Sequence, residues 1–292
     1  MEDTHTRELH IKSASGSKPT PRVKTPPAAD AIPVPFVYSP SDDGTDENLL
    51  ILLHGLGDTH VPFGKLGKQL KLPQTATLAL RAPQQIPYLY EEAYQWYPSF
   101  DDLGEPIVHP NPAPGVTVLT TTISHLTTVC GWPLSSIHLF GFAQGGSLAL
   151  ESALATWKAR PRDIIDDLPS SSSSSNGNND TSSNGSSSMT LGSIITIGGP
   201  LLIHHAISSP CPSPTLLIHR SQPSSLNIPS HSRTSLQKLF SNMKEVMLGE
   251  GESMPASKEE WEPVMEFWSQ RLRRRMPGGA DDGLYEVLSG GI

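Results

Sequence analysis

An α/β fold with a mostly parallel central sheet and helices on both faces is predicted by three observations on this 292-residue chain. Short, fully apolar runs alternate with amphipathic or Ala/Leu-rich stretches in repeated β-α-β order, the pattern of strands buried on both faces. A Gly-rich loop, His54-Gly55-Leu56-Gly57-Asp58, follows the first of these runs directly. Further on, Gly141-Phe142-Ala143-Gln144-Gly145-Gly146 has the frame of a nucleophile elbow, G-x-S-x-G between strand and helix, with Ala143 in the place of the serine.

The elements follow in chain order. Residues 1–31 are polar and rich in Pro, Lys, Ser and Thr, so their few apolar side chains cannot offset chain entropy and a disordered arm is expected. The apolar run 49–53 predicts a strand, 63–70 a helix and 76–81 a second strand. Residues 117–129 carry apolar side chains at helical spacing, and Gly131-Trp132-Pro133 ends that helix. The run 136–140 predicts the strand that enters the elbow, and 147–157 the Ala/Leu-rich helix that leaves it. Residues 169–188 are almost all Ser, Asn and Gly and read as a disordered insertion. Beyond it, 193–197, 215–219 and 244–248 predict strands, and 259–272 a closing helix with Trp261, Val264, Met265, Trp268 and Leu272 on one face. One domain is therefore expected over 32–276, followed by a flexible tail, 277–292. In such sheets the functional site lies beyond the carboxyl ends of the strands.

Bulk properties exclude several classes. A net charge of -8 and a pI near 5.7 argue against a nucleic-acid partner. The basic run at 271–275 suits the last turn of a helix, where cations meet the negative end of the dipole. Two cysteines, Cys130 and Cys211, are too few for a disulfide framework or a cysteine metal site, which predicts a reducing compartment. No apolar run approaches the roughly 20 residues of a membrane span, and the polar start lacks a secretory h-region. The expected location is the cytoplasm, or cytoplasm and nucleus together.

Four stretches in this order resemble the acyl-protein thioesterase group of α/β-hydrolases, the phospholipase/carboxylesterase family: 54–58, Leu80-Arg81-Ala82-Pro83, Gln95-Trp96-Tyr97-Pro98-Ser99-Phe100-Asp101, and 141–146. The resemblance implies an α/β-hydrolase fold and no cofactor or metal. It also implies hydrolysis of acyl esters or thioesters, including lipid groups on proteins, by a Ser-Asp-His triad. By the same resemblance, backbone N–H groups of Leu56 and Gln144 form an oxyanion hole, and Trp96 and Tyr97 wall the acyl site. A packed aromatic pair is an equally good reading of those two rings.

The triad positions themselves are not matched. The nucleophile position holds Ala143. The family's acid is expected in a His-Gly-x-x-Asp pattern, whereas this chain reads His219-Arg220-Ser221-Gln222-Pro223-Ser224-Ser225, with no Asp or Glu between Ser221 and Met243. The family's histidine is expected in Gly-x-Gly-His, but the text is Gly249-Glu250-Gly251-Glu252 and no histidine follows His231. Glu252 thus takes the base position, a role a carboxylate fills only if burial raises its pKa markedly.

Other candidates have plain structural readings. Ser147 lies one helical turn beyond Ala143 and reads as a small residue packed against a strand. Cys130 sits at the wrong edge of the sheet for catalysis and reads as a buried thiol. His204 and His205 follow a strand without an acidic neighbour in sequence, and read as loop residues rather than metal ligands. His54 and Asp58 read as residues that order the Gly-rich loop.

Two functions compete. One is a catalytically inactive member of this family that binds an acyl ester or an acylated protein. The other is an active carboxylesterase or thioesterase, a carboxylic ester or palmitoyl-protein hydrolase, with non-standard catalytic residues.

Overall fold

The computed structural model describes residues 22–87, 91–160 and 189–275. The Ser/Asn insertion at 169–188, the tail at 277–292 and the arm up to residue 21 lie outside the described residues.

The second strand shows why the sheet forms. Strand β1 is Phe36–Ser39 and β2 is Asn48–Leu53. Leu49, Ile51 and Leu53 of β2 join one apolar cluster and Leu50 and Leu52 the other, all without solvent exposure. A strand that is apolar on both faces needs cover on both, which a parallel sheet flanked by helices provides. Each leucine buried in this way contributes about 2 kcal/mol.

Helix α1 is His60–Gln69 and β3 is Thr75–Leu80; a short pair, β4 (Gln84–Gln85) and β5 (Tyr94–Gln95), precedes α2, Ala113–Thr128. Strand β6 (Ile137–Phe142) enters α3, Gln144–Lys158. Strands β7 (Ser193–Ile197) and β8 (Thr215–Arg220) follow, then α4 (Ser230–Leu239), β9 (Met243–Leu248) and α5 (Lys258–Arg271). The seven-stranded sheet has the order β1-β3-β2-β6-β7-β8-β9, parallel throughout except that β1 runs antiparallel to β3. Helices α2, α3 and α4 cover one face; α1 and α5 cover the other.

Every long strand and helix expected from the sequence is present, shifted by a few residues at its ends. Strand β1 and α4 were not expected. Helix α4 buries only Leu236, so its apolar signal is faint. On α5 the expected apolar face needs one correction. Met265 is 40% exposed, and Phe267, 4% exposed, packs with Val264 and Trp268 in its stead.

Residues 22–31, which the sequence places in the arm, lie among the described residues. From Arg22 the chain is tied down: Arg22 pairs with Thr45, Lys24 N donates to Asp46 at 2.9 Å, and Lys24 Nζ reaches the Gly131 carbonyl at 2.8 Å. These backbone and charge contacts leave no hydrophobic pattern in the sequence. The parallel order brings the ends of β2, β6, β7, β8 and β9 to one edge, with Leu53 beside Gly141, Phe142 beside Ile197 and Arg220 beside Leu248.

Candidate functional site

The elbow is set by backbone packing. Ala143 stands between β6 and α3 at φ 48°, ψ -113°, a conformation costly for a residue with a Cβ. Its N–H donates to the Ile197 carbonyl at 2.8 Å. Gly141 and Gly145 make the turn sterically feasible. A Cβ on Gly141 would come within 2.2 Å of the Gly145 carbonyl oxygen, and one on Gly145 within 2.3 Å of the Leu53 oxygen. Helix α3 therefore starts directly on the end of β2, with no room between them for side chains. Ala143 itself is partly exposed, so the space above it is open to solvent.

The Gly-rich loop after β2 lies against this turn. His54 is fully buried; its Nδ1 donates to the Gly55 carbonyl at 2.7 Å and its Nε2 accepts from Ala82 N at 2.9 Å. That pairing requires the neutral ring, and burial pushes its pKa down to about 4. Gly57 N donates to the Tyr94 carbonyl, and Tyr94 N to that of Asp58. The Asp58 carboxylate accepts from Thr59 N at 2.7 Å. His54 and Asp58 hold the loop, as their sequence context suggests.

Gln144 adds the second half of the corner. Its side chain turns back into the protein, accepting from Trp96 N at 3.0 Å and donating to Tyr97 O at 3.0 Å and Ser99 Oγ at 2.7 Å. Its backbone N–H opens α3, and neither this group nor Leu56 N–H donates to a protein acceptor among the described residues.

Of the two readings of Trp96 and Tyr97, their burial agrees with the packed aromatic pair. Trp96 has no exposed surface, packs on the His54 ring with centroids 5.4 Å apart, and donates from Nε1 to the His54 carbonyl at 2.9 Å. Tyr97 is 4% exposed, and burial pushes its phenol up to about 12. The Trp96 ring thus braces the loop after β2 from within. Ser147 is likewise buried, packed against the turn that follows β7: a Cβ on Gly199 would strike its backbone nitrogen at 2.3 Å. Cys130 is buried near His125, at 3.6 Å.

The opposite corner, formed by the loops after β8 and β9, is rebuilt with other side chains. Glu252 is exposed, and its carboxylate accepts the backbone N–H of Ser225 at 3.0 and 3.1 Å and the Ser225 hydroxyl. These bonds hold the Glu252 carboxyl below the usual carboxylate range. A general base at this position needs the reverse shift.

Sequence reasoning missed Arg220, which follows His219 where the family pattern has glycine. Its guanidinium is buried, paired with both oxygens of Glu260 at 2.7 and 3.2 Å, and donates to the Ser253 carbonyl at 3.1 and 3.0 Å. Gly251, at φ 149°, passes over it so closely that a Cβ would lie 3.1 Å from Cζ. Arg220 thus fills the core of the loop that carries Glu252. Its partner lies 40 positions downstream, a separation no local pattern reveals.

The histidine pair resolves differently from its sequence context. His205 has an acidic partner after all: its Nε2 lies 2.6 Å from the buried Glu151 carboxylate of α3, and Lys158 Nζ meets its Nδ1 at 2.9 Å. No group of three or more His, Cys, Asp or Glu among the described residues is arranged to hold a metal. A hollow of about 730 Å³ opens along α2, from Val116 to Thr127, against Ala155 to Ala159 at the end of α3.

Comparison with known proteins agrees with this architecture. The phospholipase/carboxylesterase family profile matches residues 33–164. An uncharacterized hydrolase of Mycosarcoma maydis is 37% identical over 251 residues, covering 82% of each chain. The chain belongs to the phospholipase/carboxylesterase family. Among solved structures, acyl-protein thioesterase 2 of Zea mays is similar with a TM-score of 0.54 at 18% identity, over 82% of this chain and 100% of that one. A carboxylesterase of Mesorhizobium loti is similar with a TM-score of 0.57 at 11% identity, over 85% and 99%. At such identities these two establish the shared α/β-hydrolase fold alone. Among the described residues of this phospholipase/carboxylesterase family member, no helix is long and apolar enough to cross a membrane.

Proposed function

We propose that this family member is catalytically silent and acts by binding an acyl ester or an acylated protein at the elbow. The observation that carries this reading is the state of Glu252: the residue at the base position is an exposed carboxylate held ionised by Ser225. With a methyl group at Ala143 there is no nucleophile to activate and no base to activate it. Removing a nucleophile alone costs about a million-fold in turnover, and loss of its partners adds little more.

Binding asks less of the site than catalysis does. The N–H groups of Leu56 and Gln144 have no protein acceptor among the described residues, and in this reading they donate to the carbonyl oxygen of a bound ester or thioester. A bound acyl carbonyl would then persist unhydrolysed.

Labelling of the purified protein with a fluorophosphonate, together with hydrolysis of p-nitrophenyl butyrate, tests the silent state. Neither is expected above background. Robust labelling and turnover would instead establish the second reading, an active esterase with other catalytic residues, in keeping with the name of the Mycosarcoma maydis relative. Extraction of lipid from the purified protein, read by mass spectrometry, tests the binding half of the proposal.

A further inference from the structure

A cavity of about 590 Å³ opens at the same sheet edge, between the loop that follows β7, the start of α4 and the segment before α2. Its walls combine two chemistries. Leu201, Leu202 and Leu239 supply apolar surface, and the main chain of Leu202 and Ile203 is fixed by N–H bonds of 2.8 and 3.1 Å to Glu151 Oε1.

The polar side chains are histidines, a lysine and two serines, Ser232 and Ser235. His109, His204, His231 and Lys238 line the cavity, and none of these four side chains has a hydrogen-bond or ion-pair partner among the described residues. His205 also lines it, but Glu151 and Lys158 occupy both of its ring nitrogens. No Asp or Glu lines the cavity. In a chain of net charge -8, the one formally charged side chain in this lining is a cation, Lys238. The start of α4 reinforces it. Pro229 at the N-cap provides no capping side chain, and Pro229, His231 and Ser232 all face the cavity, so the positive end of the helix dipole opens into it.

We infer that this cavity takes an amphipathic monocarboxylate, a free fatty acid whose head meets His231 and Lys238 and whose chain lies on the leucines. Charge complementarity selects the acid over an ester or an alcohol of equal length: imidazole and ammonium donors form charge-assisted hydrogen bonds with a carboxylate, whereas a neutral head gains only ordinary ones. The inference deepens the acyl-binding reading and rests on it for the apolar tail, but it names a different head group and a different set of residues from the elbow.

Calorimetric titration of the full chain with dodecanoate, dodecanol and dodecyltrimethylammonium tests it, since the three share one tail. Dodecanoate is expected to bind about tenfold or more tightly than dodecanol, with the cation weakest. The double variant His231→Ala/Lys238→Ala changes exposed residues that leave the core untouched, and should erase the advantage of the acid while sparing dodecanol. Lys65→Ala, on exposed α1 surface, should leave the advantage intact. Equal affinity for acid and alcohol, or an acid advantage that survives the double variant, overturns the cavity inference and leaves acyl binding at the elbow standing. Absence of binding by all three also overturns it, whereas the elbow reading is judged separately by lipid extraction and by ester turnover.

Discussion

Two corners meet at the carboxyl-end edge of this sheet, and they depart to different degrees from the family pattern. The elbow corner keeps its frame: Gly141, Gly145 and the loop after β2 pack backbone on backbone, and Ala143 holds the positive-φ turn although it carries no hydroxyl. The corner after β8 and β9 carries other chemistry, with Arg220, Pro223 and Glu252 where the family pattern has glycine, acid and histidine. The contrast follows from what builds each corner. Contacts between main-chain atoms tolerate no added side chain, so they resist substitution whether or not catalysis continues. Contacts between side chains can be exchanged for others that hold the same loops.

The largest effect is expected where backbone meets backbone. Gly141→Ala would force a methyl group to within 2.2 Å of the Gly145 carbonyl, and the strand and helix cannot part without opening the core. A loss of more than about 4 kcal/mol, read as failure to fold or a collapse of the urea midpoint, is expected. A mild effect would mean that the elbow corner is as adaptable as its neighbour. Next comes Arg220→Met, which removes a buried cation from Glu260 and from the carbonyls around Ser253. Breaking one partner of such a pair costs about 3 kcal/mol. Here the loss should concentrate in faster hydrogen exchange over residues 249–255, leaving 141–146 protected.

Acid separates the corners next. Burial holds the His54 pKa at about 4, below that of an ordinary histidine, so the fold keeps it neutral while the unfolded chain takes up a proton first. Its contribution of about 3 kcal/mol is present above pH 6.5 and is lost as pH falls toward 4. Glu252 and Glu260 have carboxyls held low, Glu252 by Ser225 and Glu260 by Arg220, so their contributions stand above pH 4.5 and fade only below it. Lowering pH from 7 to 5 should therefore loosen residues 54–58 while 249–255 stay protected, as read by hydrogen exchange corrected for intrinsic rate. Equal loosening of both would break the contrast.

The two corners were also unequally legible in the sequence. Strands such as β2 announce themselves because burial on both faces demands an unbroken apolar run, and glycine spacing marks the elbow because only glycine fits there. The second corner gave a negative signal alone: the missing acid and histidine were visible, their replacement was not. Arg220 finds Glu260, and Glu151 finds His205, only once the chain is folded, since partners 40 and 54 residues apart share no period. Trp96 illustrates the converse. Its place in a motif suggested a cleft wall, yet a tryptophan with its N–H satisfied by the His54 carbonyl is stable fully buried.

The smallest effect should come from Ala143→Ser. The turn is already held at φ 48° by the Ile197 carbonyl and the glycines, and serine is the residue that such a turn ordinarily carries, so stability should change by less than about 1 kcal/mol. Turnover of p-nitrophenyl butyrate should remain at the background of the parent protein. A hydroxyl above the sheet needs a base to take its proton, and Glu252, ionised and tied to Ser225, is poorly suited to accept one. The two corners thus predict opposite outcomes for one atom: the elbow accepts the new oxygen without strain, and its neighbour leaves it inert. Recovery of turnover toward that of an ordinary esterase would show that a base reaches the elbow from elsewhere, and would remove Glu252 from the role assigned to it.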